Sequence, residues 1–199
     1  MTPWEATPEF TPSRIETLAK LLADVRAEVV DLHDEDLGDT NRSLGYRAYE
    51  CCCSNILRKV STEGFEWLGI ISPTGRFTFS ISNIPVRFWK GDPERLPGGK
   101  LIRSPEAAMQ LELFDSSCAT KDLVWYIVLR TDHTKQVERA FFIGYTDMGE
   151  IAVNWEIPLS SKITLLSEVN DVLPESVELE SASSRVKTKK KSSIVVNNE

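Results

Sequence analysis

The sequence predicts an α+β fold: two N-terminal helices packed on a mainly antiparallel sheet of about six strands, with one intervening helix. Three observations lead there. Two successive stretches before residue 62 carry apolar residues at helical spacing. Residues 76–91 alternate as a tight hairpin does, and three more strand-like runs between 123 and 157 are separated by short turns. The domain boundaries that follow are an irregular arm over 1–12, one α+β domain over 13–159, and a largely disordered charged tail over 160–199.

The arm is rich in Pro and Thr and lacks periodicity. Ser13 and Glu16 form a capping-box pattern, and Ile15, Leu18, Leu22, Val25, Val29 and Leu32 then repeat as one helical face. The acidic stretch 33–38 ends that helix. A second helix is expected from near Asn41 to about Thr62, with Tyr46, Tyr49, Cys53, Ile56 and Val60 as its apolar stripe and Gly64 as its stop. The pair either forms a helical hairpin or lies together on one face of the sheet.

Phe65–Ile71 is apolar on both faces and reads as an interior strand, followed by the turn Ser72–Gly75. With Ser82 and Asn83 as the hairpin turn, Phe77, Phe79 and Ile81 line up with Phe88, Val86 and Ile84. The other face then sets Arg76, Thr78 and Ser80 across from Trp89, Arg87 and Pro85, and is expected to be exposed. Residues 91–100 are a breaker-rich loop. Pro105 and Glu106 suit the first turn of a helix that runs to near Phe114. Strands over 123–130, 137–145 and 151–157 close as a meander, with turns at Asp132–Lys135 and Asp147–Gly149.

A hydrophobic fraction of 41% with 27% charged residues suits a water-soluble protein with a sizeable core. There is no long apolar run for a membrane span, and the N-terminus has neither the basic start nor the apolar centre of a secretory signal, so a cytoplasmic location is expected. The net charge is −7, and the tail 160–199 holds six acids and six bases, so the body carries the whole excess. An acidic body disfavours broad nucleic-acid binding. Residues 76–103 run the other way, with six basic side chains against Asp92 and Glu94. The lysine run 187–191 either attracts an acidic partner or only solubilises the tail.

Catalytic and metal-binding sets are not apparent. Cys51, Cys52 and Cys53 are adjacent, without the spacing of a zinc knuckle, and read as buried packing; pairing of Cys118 with one of them stays open. His33 lies among Asp31, Asp34, Glu35 and Asp36 in what reads as a solvated turn, and His133 sits in a hairpin turn. Gly98-Gly99-Lys100 lacks the remainder of a phosphate loop and reads as a flexible loop. Trp67, Trp125 and Trp155 fall within predicted strands and read as core or half-buried residues with no function implied. The order helix, three strands, helix, strand over 41–130 matches the core order of restriction-endonuclease-like folds. Such sites need paired carboxylates beside a lysine to hold a cation at the phosphate. Lys90 suits the lysine, but Phe88 stands where an acid belongs, leaving Glu50 and Asp92 as stray acids.

Ile84–Gly91, with Glu66-Trp67 upstream, Glu106-Ala107-Ala108 midway and Trp155–Leu159 at the close, resembles a bacterial protein family with no established activity. The resemblance covers roughly 41–159. It implies a bacterial, cytoplasmic setting and the hairpin itself, and it supplies no catalytic residue. The function expected from the residues is therefore a non-catalytic binding protein that recognises another protein through Arg76, Arg87, Trp89 and Lys90, with no cofactor. Trp89 in that set is open to three readings: a local cation–π pair, a partner contact, or a nucleic-acid contact. The alternative function is a restriction-endonuclease-like nuclease, degenerate or active, of a defence or toxin–antitoxin operon.

Overall fold

The sheet has six strands in chain order, and its two halves meet at one parallel junction. A computed structural model describes residues 1–95, 102–103, 105–112 and 123–159; the tail, Cys118 and Gly98-Gly99-Lys100 lie outside the described residues. The elements are α1 (Pro3–Ala6), α2 (Pro12–Asp31), α3 (Asn41–Val60), β1 (Leu68–Ser72), β2 (Thr78–Ile81), β3 (Ile84–Lys90), α4 (Pro105–Glu112), β4 (Val124–Thr131), β5 (Val137–Tyr145) and β6 (Ile151–Ile157). This is an α+β protein with a mainly antiparallel sheet. No helix among the described residues is long and apolar enough to cross a membrane.

The N-terminal arm is not irregular throughout. Glu5 accepts a hydrogen bond from the Thr2 amide at 2.6 Å and closes the single turn α1. Trp4 meets the edge of Trp155, and Phe10, which is fully buried, packs its ring against Trp125 and Phe142 at 4.9 Å each. Two isolated aromatic anchors seat this segment, and isolated anchors leave no period in a sequence. The capping box at Ser13 does not form either. α2 begins two residues earlier, with Thr11 at the N-cap and Pro12 in the first turn, because proline's fixed φ and missing N–H suit that position.

α2 buries Ile15, Leu18, Leu22, Val25 and Val29, as its spacing predicts. α3 spans the expected range but is rotated about its axis: Leu44, Ala48, Cys52, Cys53 and Ile56 face inward. Tyr46 is exposed and Tyr49 lies at the rim of a cleft, so small residues rather than tyrosines make the seam with α2. The two helices pack on each other and on the same face of the sheet, which joins both expected arrangements.

The β2–β3 hairpin has the expected register, Phe79 opposite Val86 and Ile81 opposite Ile84. Ser82 and Asn83 both take positive φ, +49° and +73°, the signature of the two-residue turn whose twist matches the strands. Pro85 is tolerated because the ladder to β4 starts only at Val86. β3 and β4 run parallel, which requires a crossover, and α4 lies within it. β4, β5 and β6 then form the expected meander.

Two expectations fail at the edges and faces of the sheet. β1 is an edge strand, not an interior one; α3 and α4 both contact it, and helices replace a strand neighbour as cover. The second sheet face is not open to solvent. Val124, Tyr126, Val128, Phe141, Ile143 and Tyr145 form a second core there, with Trp89 packed against it. Every residue from Val124 to Leu129 is buried, so β4 is enclosed on both sides.

Candidate functional site

Arg87 points into that second core and is buried, contrary to the exposure expected of it. Its Nε donates to Thr78 Oγ1 at 3.1 Å, and its Nη1 donates to the Ile102 carbonyl at 2.9 Å and to the Tyr126 hydroxyl at 3.4 Å. Arg76, across the hairpin, donates to the same Ile102 carbonyl at 2.9 Å. The two arginines are brought together as expected, but around a backbone oxygen of the crossover. Thr78 and Ser80, also expected on an open face, are buried beside them.

Lys90 parts from the arginines, while Trp89 stays on their face of the sheet, packed against the second core. Trp89 is half-buried, and a Cβ at Gly91 would meet its ring at 2.2 Å, so any side chain there would displace the indole. The Gly91 amide donates to the Leu129 carbonyl at 3.0 Å and carries the parallel ladder one residue past β3. Lys90, on the helix side of the sheet, reaches a cleft of about 230 Å³ at this end of the ladder. Ala48, Tyr49 and Cys52 of α3 form one wall, Phe88 and Leu129 the floor, and Arg26 of α2 the far side; Gly45 and Trp89 complete the lining.

The cleft is apolar except for its cations. Arg26 is buried, with Nε donating to the Lys135 carbonyl at 2.8 Å. Burial draws its guanidinium below the usual range. Lys90 sits at the rim, and partial burial, then the like charge of Arg26, lower its ammonium in turn. Among the described residues neither cation has a carboxylate within ion-pair distance, and none lines the cleft. Tyr49, in a tilted ring contact with Phe88 at 5.2 Å, has its phenol pushed up to about 12, mainly by burial. A smaller recess of about 160 Å³ adjoins on the other side of Tyr49 and Phe88, lined also by Arg76, Arg87 and Tyr126.

Cys52 and Cys53 pack into the core, and Cys51 is half-buried beside them. Cys52 and Cys53 are buried free thiols, and burial raises them to about 12 and about 11. The acidic turn after α2 is solvated as expected, with Asp31, Asp34, Glu35 and Asp36 exposed, but the His33 side chain is only 7% exposed. It lies 3.5 Å from Asp39 and 3.4 Å from Lys135 Nζ, while Asp39 is held by Arg47 at 2.8 Å and Glu35 by Lys135 at 3.0 Å. His133 is exposed in the β4–β5 turn. Among the described residues no three His, Cys, Asp or Glu side chains are grouped as a metal site.

Beside Arg87, the face of β2 and β3 carries Thr78, Ser80 and Pro85, with no acid among these positions. Asp92 accepts from the Glu94 amide in the turn after β3, and Glu50 is exposed on α3. Two lining residues were missed in the sequence although they left marks. Arg26 interrupts the apolar face of α2 between Val25 and Val29, and Gly45 sits inside a helix. No protein-family model, curated protein or solved structure matches this chain, so the geometry of the cleft is what bears on its function.

Proposed function

We propose that this protein is a non-catalytic binding protein that recognises another protein through the cleft between α2, α3 and the end of the β3–β4 ladder. The observation that carries this reading is an apolar, aromatic-walled cleft holding two cations, Arg26 and Lys90, that are not ion-paired among the described residues. Its volume lies below the roughly 300 Å³ at which small-molecule sites usually begin, and suits one anchoring side chain of a partner. In this reading Trp89 and Lys90 are contacts to the partner. Arg76 and Arg87 instead tie the crossover to the sheet, so their effect on binding is indirect.

Affinity capture of the tagged full-length chain from its native cells, beside Lys90→Glu, tests the reading. A stoichiometric partner lost with Lys90→Glu, at an unchanged thermal midpoint, supports it. A partner held equally by both forms, or by neither, overturns it.

A nuclease remains the second reading, on one observation: α3, β1–β3, α4 and a β4 parallel to β3 follow the element order of restriction-endonuclease-like cores. Magnesium-dependent cleavage of DNA or RNA, lost in Lys90→Ala, is its requirement. Inactivity across divalent metals and both nucleic acids retires it.

A further inference from the structure

We infer that the anchor taken by this cleft is a carboxylate carried on an apolar body, supplied by an acidic residue of the partner protein. The inference rests on the cleft being the recognition site.

Two like charges facing one apolar space repel each other; Arg26 gives up its hydration to be there, and Lys90 at the rim gives up part of its own. A bound anion relieves the repulsion and restores the lost polar partners, whereas a neutral group does neither. Arg26 is well placed for this, because its hydrogen bond to the Lys135 carbonyl fixes the guanidinium before any ligand arrives. Lys90, at the rim, is the adaptable member of the pair. Tyr49, Phe88 and Leu129 give the remainder of the ligand an apolar surface, which explains a body attached to the carboxylate rather than a free inorganic anion.

Gly45 is an independent sign that the space is meant to be filled from outside. Glycine is the least favourable residue in a helix interior after proline. A Cβ at Gly45 would meet nothing within 4 Å, so no crowding demands glycine, and its φ is not among the positive ones. What the missing side chain does is leave the lip of the cleft open.

Titration of the isotope-labelled full chain with 3-phenylpropionate and with the neutral 3-phenylpropanamide, followed at the amides of Gly45, Tyr49 and Lys90, tests the inference. The carboxylate is expected to give saturable shifts at about tenfold lower concentration than the amide. Lys90→Met should remove that advantage while leaving the amide's affinity alone, and Gly45→Leu should weaken both ligands. Gly45→Ala, which favours the helix, serves where Gly45→Leu perturbs folding.

Equal affinity of acid and amide overturns the anionic anchor while leaving the cleft as a recognition site. Acid binding that ignores Lys90→Met overturns it as well. Shifts at the same amides on dilution, with no probe present, would put a second copy of the chain in the cleft and overturn the partner assignment. Absence of binding by either probe overturns the inference, and Lys90-dependent capture of a partner then decides separately whether the broader reading stands.

Discussion

Arg87 shows how a charged side chain on an alternating strand becomes structural. Its guanidinium satisfies Thr78, Tyr126 and the Ile102 carbonyl at once, inside a sheet face that a second apolar cluster encloses. Arg87→Ala is expected to cost about 2–3 kcal/mol, since it leaves buried polar partners unmet. A urea midpoint unchanged from the parent would show that the bonds contribute nothing. Arg87→Lys should recover little, because an ammonium lacks the fork that reaches three acceptors. Cys52 carries a separate prediction. The folded thiol holds its proton to about 12 against an ordinary 9.0, mainly through burial and then the neighbouring Cys53 and Cys51. The unfolded thiol ionises first as pH rises, so this contribution is whole below pH 9.0 and is lost as pH climbs toward about 12. Cys52→Ala should therefore show a shallower alkaline fall in urea midpoint than the parent. Equal slopes in the two proteins would rule out Cys52 as a source. The residues of the cleft were only partly legible in the sequence: Lys90 and Trp89 stood out by type. Arg26 and Gly45 were visible as breaks in helical pattern, but only the packing of α2 on α3 shows what the breaks face.

Elements with a strong internal period were legible, and those whose position depends on a neighbour were not. The β2–β3 register follows from six alternating apolar residues and a turn that accepts positive φ. The range of α3 along the chain is legible but its rotation about its axis is not, because Leu44, Ala48 and Cys52 pack closely where Tyr46 and Tyr49 are too large for the seam. α1 and the segment after it carry no period at all; their place comes from Trp4 on Trp155 and from Phe10 between Trp125 and Phe142. Phe10→Ala is accordingly expected to destabilise the whole chain by about 3–5 kcal/mol. A loss confined to proteolytic sensitivity of the first dozen residues, with the global midpoint intact, would refute the view of this arm as part of the core.

At the scale of the whole molecule, β4 is one of the two central strands of the sheet, flanked by β3 and β5 and buried along Val124–Leu129 on both faces. Its amides around Ile127 and Val128 should exchange with solvent most slowly, at rates set by global unfolding, while those of edge strand β1 exchange through local opening. Faster exchange in β4 than in β1 would contradict the enclosed strand. The alternation of β4 alone gave no hint of this, since a strand apolar on both faces reads alike whether helices or loops cover it. The parallel junction has one more consequence, and it is a matter of timing. β1–β3 and β4–β6 are each joined by short turns, so their pairings close small loops, whereas Val86 and Trp125 must meet across the full crossover. The two meanders are expected to zip first and the seam between them last. Phe88, Lys90 and Leu129 stand on opposite sides of that seam. A newly made chain therefore gains its cleft only in the final step of folding, and a partner that uses it meets finished molecules alone.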